Sequence, residues 1–575
     1  MKLLLSFMKK YRKESFISPL FKLLEASFEL IVPLIIASLI DKGIAQKDTS
    51  LIIKYSLVLV LLAVIGWICA VVAQYYAAKA AVGTTADMKS ALFKKLGTLS
   101  HTEYDTLGNS TMITRMTSDC NLVQNAVNLF LRLFLRAPII VFGAMVMAFT
   151  VSVRAALIFV GVIPLLAIVV YGIMLITVPL YKKVQSKLDS LLGITRENLS
   201  GVRVIRAFCR DESERERFEN ANGELSAMQR FVGKLSALTN PLTLLLVNGA
   251  TVLLIYVGAI QVNVGDLTQG EVIALYNYMS QILVELIKLA NLIVTVTKGI
   301  ASVHRISSVM ELESSVSFEG SEHVEYGSVE FKNVGLTYKN AGAPSLSGIS
   351  FSASPGQTVG IIGGTGSGKS SVINLIPRFY DASEGQILID GKDVKAFSEE
   401  GLRERIGVVP QYARLFKGSV RDNMLVGNKN ATDEDIEQAL KQAQAYDFIK
   451  EKEGFLDHMI ENGGKNLSGG QKQRLTVARA LVRKPRVLIL DDSASALDYK
   501  TDRLLREAIK DLDFKPTTFI VSQRASSVMH ADTILVLEDG ECVGLGTHAE
   551  LIESCDVYKE IYYCQFPDER KEDLK

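Results

Sequence analysis

Six long apolar stretches lie before residue 300, and they constrain the fold more than any other feature of the sequence. A helix needs about 20 mainly apolar residues to cross ~30 Å of hydrocarbon, because every backbone polar group must be satisfied within the segment. Six such stretches are too many for buried helices of a soluble domain. The sequence therefore predicts an α-helical transmembrane domain over residues 1–310, with spans at approximately 16–40, 51–78, 127–150, 155–181, 238–262 and 272–296.

The charges between the stretches predict their orientation. Lysine and arginine are frequent before residue 14, whereas the short connections 41–50, 151–154 and 261–270 carry little net positive charge. Because cytoplasmic loops are enriched in Lys and Arg, we expect both termini in the cytosol. Apolar residues at helical spacing between Leu3 and Tyr11 further predict a short helix that lies on the membrane surface.

The connections on the cytosolic side, 79–125 and 182–237, are long and have helical periodicity. Long loops with this pattern usually extend the neighbouring helices outward. We therefore expect cytosolic levers whose turning points, near 103–108 and 206–212, press on a cytosolic domain. A solvated helical hairpin without a docking role is the alternative.

Composition excludes two other classes of protein. Lys plus Arg number 63 and Asp plus Glu 62, so the formal charge of +1 provides no basic field for nucleic acid. The six cysteines are scattered without a CxxC pair, which fits neither a disulfide scaffold nor a zinc site. We expect isolated thiols.

A second domain, predicted over 328–575, follows a polar linker at 311–327. Its short apolar strands, glycine turns and amphipathic helices are typical of an α/β fold. The apolar strand at 358–362 leads directly into Gly363-Gly364-Thr365-Gly366-Ser367-Gly368-Lys369-Ser370, which matches the P-loop pattern G-x-x-x-x-G-K-[ST]. In such a loop, backbone N–H groups and a helix N-terminus bind phosphates, Lys369 reaches the β/γ-phosphates and Ser370 ligates Mg²⁺.

Two further motifs accompany the P-loop. An apolar strand at 487–490 ends in Asp491, an acid in the place needed to orient Mg²⁺. Between the two motifs, Leu467-Ser468-Gly469-Gly470-Gln471 opens a helix that runs through Leu481, which provides a second phosphate-binding N-terminus. One chain thus presents two phosphate-binding ends.

This ordered set of motifs resembles an ATP-binding cassette, and the six spans with long cytosolic extensions resemble the exporter branch of that family, over essentially the whole chain. The segment 197–208 also resembles these exporters. The resemblance implies that two cassettes pair head to tail, with each ATP held between the P-loop of one and the LSGGQ helix of the other.

The resemblance also assigns roles to single residues. It implies that Tyr338 stacks on adenine, that Ser371 joins the nucleotide contacts, and that Gln411 senses Mg²⁺ and the γ-phosphate. Gln411 thereby joins Ser370 and Asp491 as a residue of the Mg²⁺ site. The crossing loop of the family matches Ser495-Ala496-Leu497-Asp498.

Two residues depart from the family pattern. Asp492 occupies the position of the glutamate that acts as general base, and Gln523 that of the histidine that contacts the γ-phosphate. Aspartate is shorter by one C–C bond, about 1.5 Å, and glutamine can neither become cationic nor shuttle a proton. Loss of a positioned acid or base costs about 10²–10⁴ in rate, so we expect a site that binds ATP but barely hydrolyses it. A working site with a tolerated carboxylate exchange is the alternative.

The intact LSGGQ helix, beside a degenerate P-loop site, resembles one subunit of a heterodimeric bacterial multidrug exporter. The resemblance implies a non-identical partner with glutamate and histidine in its cassette, a place in the bacterial plasma membrane, and drugs, lipids or peptides as cargo. An ATP-gated regulatory or channel-like membrane protein and a lipid translocase are the alternatives.

A polar stripe in the sixth span is the candidate lining of a transport cavity. Ionised groups at membrane depth cost about 2.5–3.5 kcal/mol on insertion scales, so they must face water or each other. Structural pairing of Glu285 with Lys288 is the alternative, and Glu25 and Glu29 with Arg132 and Arg136 leave the same two readings open. The stripe consists of Asn277, Gln281, Glu285, Lys288 and Asn291.

Overall fold

The computed structural model describes residues 1–567, so the last eight residues of the predicted second domain, 568–575, lie outside the described residues. The chain divides into two compact units. The first contains residues 1–97 and 110–311, and the second contains 98–109 and the chain from Leu312 onward.

The described residues form 6 helices long and apolar enough to cross a membrane, which confirms the predicted transmembrane fold. Joined across short irregular turns, the six are Lys2–Ile44, Thr49–Leu96, Asn109–Val151, Val153–Ser200, Asp211–Val264 and Gln269–Met310. Each of these segments contains one predicted stretch, and two of them are 48 residues long. At about 1.5 Å per residue, such helices extend well beyond ~30 Å of hydrocarbon. The helices up to residue 310 are α1 (Lys2–Met8), α2 (Arg12–Ser38), α3 (Thr49–Leu96), α4 (His101–Leu107), α5 (Asn109–Thr114), α6 (Cys120–Leu133), α7 (Arg136–Val151), α8 (Val153–Ser200), α9 (Val202–Ala207), α10 (Asp211–Ala237), α11 (Thr239–Val264) and α12 (Gln269–Met310).

Small residues let the helices of the first unit pack closely, as is usual in membranes. A Cβ added to Gly299 of α12 would lie 2.3 Å from the Cβ of Ala126 in α6, so only glycine fits there. Tyr278 of α12 is fully buried, and its hydroxyl donates a 2.7 Å hydrogen bond to the carbonyl oxygen of Leu30 in α2. These contacts join α2, α6 and α12.

The turning points predicted to be cytosolic contain short helices. Gly108, at φ +72°, ends α4, while Gly201 ends α8 and Cys209, at φ +52°, follows α9. The helix is interrupted at Gly201 and again between α9 and α10, and the second interruption lies within the segment 206–212 that was predicted to be near the turning point. Helix α4 is part of the second compact unit.

The second unit is an α/β domain built on three sheets. A six-stranded sheet has the order β12-β11-β3-β10-β9-β6, a four-stranded sheet β2-β1-β4-β5, and β7 pairs with β8. The strands are β1 (Val329–Leu336), β2 (Leu346–Ala353), β3 (Thr358–Gly363), β4 (Glu384–Ile389), β5 (Lys392–Asp393), β6 (Ile406–Val409), β7 (Gly418–Ser419), β8 (Met459–Ile460), β9 (Val487–Asp491), β10 (Thr517–Val521), β11 (Thr533–Glu538) and β12 (Glu541–Gly546). The helices are α13 (Lys369–Leu375), α14 (Glu399–Arg403), α15 (Val420–Leu425), α16 (Asp433–Gln442), α17 (Tyr446–Lys450), α18 (Gly469–Leu481), α19 (Tyr499–Lys510), α20 (Ala525–Val528), α21 (His548–Ser554) and α22 (Asp556–Gln565).

Parallel pairing at the centre of the six-stranded sheet positions the site. Strand β10 lies between β3 and β9, and Val521 at its end is in register with both Ile361 and Asp491. These strands are apolar runs with buried residues on both faces, as expected inside a parallel sheet. The segments that follow them therefore leave the sheet at one edge, where α/β proteins bind ligands.

Candidate nucleotide-binding site

The loop between β3 and α13 has the backbone form of a phosphate-binding loop. Gly366 and Gly368 have φ of +87° and +94°, a region that favours glycine. The Lys369 ammonium folds back over the loop and donates to the carbonyl oxygens of Gly363 at 2.9 Å and Gly364 at 2.5 Å. Burial lowers the pKa of Lys369, although Asp492 and Asp491 act in the opposite direction. A partly desolvated cation of this kind favours an arriving phosphate.

Ser370 and Asp491 lie together at the end of the loop. The Ser370 hydroxyl donates to Asp491 Oδ1 at 3.2 Å, and burial raises the pKa of Asp491. Hydroxyl and carboxylate oxygens are the donors that Mg²⁺ prefers, and it usually takes its remaining ligands from phosphates and water. The residues present therefore fit a nucleotide-bound Mg²⁺, and the described part of the chain has no His, Cys, Asp and Glu group that would hold a metal by itself.

Asp492 has a fixed backbone and a carboxylate that faces the same cavity. Its φ is +43°, and its N–H donates to the carbonyl oxygen of Val521 at 2.9 Å. The Gln411 side-chain amide donates to Asp492 Oδ2 at 3.4 Å, and the Ser495 hydroxyl donates to the Asp492 carbonyl at 2.8 Å. The structure thus places Asp492 beside the residue predicted to sense Mg²⁺.

A cavity of about 640 Å³ collects most residues of the predicted site. Its lining includes residues of the P-loop and Gln523, which follows β10. The lining also includes the turn Asp539-Gly540, which joins β11 to β12 and was not predicted. Strand β11 pairs with β3, which leads into the P-loop, so the turn after β11 lies near the P-loop. The sequence signal for this turn is the pair Asp539-Gly540 directly after an apolar strand. The predicted residues that line the cavity are Thr365, Gly366, Gly368, Lys369, Ser370, Ser371, Gln411, Asp491, Asp492 and Gln523.

Tyr338 lies beside the P-loop helix and links it to a second aromatic residue. Its hydroxyl donates to Ser371 Oγ at 3.0 Å, and its ring meets Tyr380 edge-on at 5.0 Å between centroids. The Tyr380 hydroxyl donates to Asp105 Oδ2 in α4 at 2.6 Å, and Phe379 stacks on His101 at 4.4 Å. The turning point predicted at 103–108 therefore contacts the domain next to the predicted adenine position. Tyr380 and His101 carry no motif and were not predicted.

The LSGGQ segment and the crossing loop lie together but do not line the cavity. Ser468 caps α18: its hydroxyl accepts the Gln471 N–H at 3.3 Å, and the Gln471 side chain accepts the Ser468 N–H at 3.0 Å. A Cβ added to Gly470 would lie 3.1 Å from the carbonyl oxygen of Ala496, so this helix start is packed on the crossing loop. Asp498 in turn caps α19. The chain's own P-loop cavity is therefore built without its LSGGQ segment.

The predicted stripe in the sixth span contributes two residues to a cluster of ion pairs. Glu285 is 2% exposed, and its Oε1 lies 2.8 Å from Lys288 Nζ and 3.5 Å from the Arg136 guanidinium. Arg136 also contacts Glu29 at 2.6 Å and Glu25 at 3.6 Å, both in α2. Glu285 and Lys288 thus form an ion pair, and this pair belongs to a cluster of charged residues that joins α2, α7 and α12. Asn291 lies outside it on an exposed part of α12, and Asn277 and Gln281 are half-buried.

Comparison with known proteins gives the family of both halves of the chain. The model of the ABC transporter transmembrane region matches residues 15–286, and the ABC transporter model matches residues 346–495. The ABC transporter ATP-binding protein YfiB of Bacillus subtilis is 37% identical over 570 residues, which are 99% of each chain. The ATP-dependent lipid A-core flippase of Shigella flexneri is 28% identical over 547 residues, 95% of this chain and 94% of that protein.

A solved structure has the same fold. It is that of a bacterial Atm1-family ABC exporter with ATP bound, which matches with a TM-score of 0.81 at 24% identity and covers 96% of this chain and 99% of its own. The family matches and the identity to YfiB extend over both the spans and the cassette. The chain therefore belongs to the ABC transporter family, as an exporter half-transporter in which one transmembrane region and one ATP-hydrolysing cassette share a polypeptide.

Proposed function

We propose that this chain is one subunit of a heterodimeric ABC exporter of the bacterial plasma membrane, with both termini in the cytosol. It moves hydrophobic drugs, lipids or peptides out of the cytosol by alternating access. ATP bound between the two cassettes draws them together, and the cytosolic extensions carry this motion to the spans. The differential affinity of ATP for the closed dimer supplies the work.

The observation that carries the proposal is the pair Asp492 and Gln523 on the walls of one cavity. The Asp492 carboxylate lies 3.4 Å from the Gln411 amide. Because the Asp492 backbone is held by a hydrogen bond and its side chain is one C–C bond shorter than that of glutamate, its oxygens reach less far toward a water at the γ-phosphate. Gln523, which lines the same cavity, can donate a hydrogen bond but carries no charge. We infer that this site holds ATP and Mg²⁺, the latter through Ser370, Asp491 and Gln411, and turns over slowly.

The second phosphate-binding end serves a different nucleotide. The capped N-terminus of α18 and the crossing loop packed against it do not line the chain's own cavity. The N–H groups of Gly469 and Gly470, which do not take part in the Ser468–Gln471 cap, are suited to a phosphate brought by another cassette. We expect the partner cassette to have glutamate and histidine at the positions of Asp492 and Gln523. The site completed by this chain's LSGGQ helix then hydrolyses ATP quickly, and the other site of the dimer hydrolyses it slowly.

Two measurements test the heterodimer. Affinity purification of the tagged chain from its native membrane is expected to yield a second, non-identical half-transporter in equal amount. In the purified complex, Asp492→Glu is expected to change ATP turnover less than about threefold, whereas removal of the partner's base lowers it by about 10²–10⁴. Equal losses after disabling either site would refute the asymmetry, and so would brisk ATP hydrolysis by the chain purified alone.

A lipid translocase is the second candidate, favoured by the similarity to the lipid A-core flippase over 95% of this chain. Lipid flipping and drug export use the same ATP chemistry and differ in cargo. Reconstitution in vesicles with labelled lipids and with a hydrophobic dye, each assayed with and without ATP, separates them. An ATP-gated channel, the remaining alternative, cannot concentrate a solute, so uphill uptake excludes it.

A further inference from the structure

The last helix of the described chain, α22, forms hydrogen bonds with the backbone of the segment that carries Gln523. Gln565, at the end of α22, faces this segment with its side-chain amide. The amide nitrogen donates to the carbonyl oxygen of Gln523 at 2.8 Å, and the amide oxygen accepts the N–H of Ala525 at 2.9 Å. The Gln565 side chain thus forms hydrogen bonds with the backbone on both sides of Arg524.

Other contacts fix the same segment from the sheet and from α19. The Ser522 N–H donates to the carbonyl oxygen of Ile361 at 3.2 Å, and the Ser522 hydroxyl accepts the Arg524 N–H at 3.0 Å. Arg506 of α19 donates to the carbonyl oxygen of Ser526 at 2.9 Å. Among these anchors, Gln565 is the one that bonds the backbone of Gln523 itself.

Helix α22 is held in position by apolar packing. Tyr558 is fully buried and Tyr562 is 5% exposed, and both belong to an apolar cluster that includes Ala525 and Val528 of α20. Ile362, in the strand that leads to the P-loop, belongs to the same cluster. Gln565 therefore extends from a helix that packs on the elements flanking the nucleotide cavity.

We propose that Gln565 is a positioning residue that sets the reach of Gln523 toward the terminal phosphate of ATP. The backbone carbonyl that Gln565 holds is one bond from the Gln523 Cα, so releasing it lets the Gln523 side chain withdraw from the cavity. ADP lacks the terminal phosphate, so its binding does not depend on this reach. The inference rests on the proposed binding of ATP at this P-loop.

The test compares two nucleotides and a mutant cycle in the purified full-length chain. Dissociation constants for Mg²⁺ with a non-hydrolysable ATP analogue, and for Mg²⁺ with ADP, are measured for the wild type, Gln565→Met, Gln523→Ala and the double variant. Gln565→Met keeps the side-chain length without hydrogen bonds, and Glu560→Ala, at an exposed position of the same helix, is the matched control. Gln565→Glu, which keeps the acceptor for Ala525 but loses the donor to Gln523, serves if Gln565→Met lowers the yield of folded protein.

We expect Gln565→Met to weaken binding of the ATP analogue by about fivefold, the effect of roughly one net hydrogen bond, and to leave ADP binding unchanged. The double variant is expected to bind the analogue no more weakly than Gln523→Ala alone, because Gln565 acts through Gln523. Equal losses for both nucleotides, no loss, or additive losses in the double variant would overturn the role of Gln565. A wild-type chain with no preference for the ATP analogue over ADP would contradict the proposed function as well.

Discussion

The hydroxyl of Tyr380 donates a 2.6 Å hydrogen bond to the Asp105 carboxylate, which places a residue of the cytosolic turning point one aromatic ring away from Tyr338. Burial and the nearby Asp105 raise the pKa of Tyr380, so the phenol stays a neutral donor throughout the physiological range. Adenine stacked on Tyr338, as the family resemblance implies, would lie one aromatic ring from this contact with α4.

Tyr380→Phe removes the hydrogen bond and keeps the ring. A hydrogen bond to a charged group contributes about 1.5–3 kcal/mol, and Asp105 is exposed, so we expect a loss near the lower end. ATP affinity is expected to stay unchanged, while ATP-induced closure, followed by spin-label distances in the complex, shifts by about tenfold in equilibrium constant. Tyr326→Phe, on the exposed surface of the same unit, is the control. Wild-type closure in Tyr380→Phe would show that Asp105 has no part in coupling.

Asp491→Asn removes a carboxylate that burial disfavours. Folded Asp491 keeps its proton to a higher pH than the unfolded chain, because burial raises its pKa. Stability therefore falls as pH rises from about 3.9, the ordinary aspartate value, through the raised pKa, and the full penalty is present at neutral pH. We expect Asp491→Asn to raise the unfolding midpoint of the nucleotide-free chain by a few degrees at pH 7 and to abolish the further rise that Mg²⁺ and ATP give the wild type. The exposed Asp513→Asn is the matched control, and a lower midpoint for Asp491→Asn without nucleotide would contradict this account.

The spans and the P-loop were predictable because each is encoded locally. A run of uncharged residues in the fourth span, or an apolar strand that ends in Gly363, identifies its own structure through hydropathy and glycine geometry. Asp491 was predicted because an apolar strand ends in it, and Gln523 was predicted from the family resemblance alone. Both line one cavity at the edge of the sheet where the parallel strands β9 and β10 end.

The contacts that connect these elements were not predictable in the same way. Tyr380 and Asp105 are 275 residues apart, and neither belongs to a pattern that requires the other. Arg132, near the end of α6, and Arg136, at the start of α7, look equivalent in sequence, yet it is Arg136 that lies beside the three glutamates Glu25, Glu29 and Glu285. Pairings of this kind depend on how helices pack, which one sequence does not specify.

Arg136→Met removes the centre of the ion-pair cluster in the first unit. Glu25, Glu29 and Glu285 would then lose their shared partner, and breaking a buried pair on one side costs about 3–5 kcal/mol. We expect a clearly lower unfolding midpoint in detergent, partly restored when Glu285→Gln is added. Arg154→Met is the control, because the Arg154–Asp266 pair at 3.5 Å is exposed and such pairs contribute about 0–1 kcal/mol. Similar losses for the two arginine variants would show that the cluster does not stabilise the helices.

Gly469→Asp tests whether the LSGGQ segment serves the partner's nucleotide. No atom lies within 4 Å of a Cβ added to Gly469, and an acid in the first turn of a helix is favourable, so this chain is expected to fold normally. The same carboxylate would repel a phosphate brought to the N-terminus of α18. In the proposed heterodimer we therefore expect ATP turnover to fall by at least about 10²-fold, whereas Lys369→Ala, which disables the site that we propose to be slow, lowers it far less. The contrast is specific to an asymmetric dimer, because in two equivalent sites the P-loop lysine and the signature glycine would be needed equally.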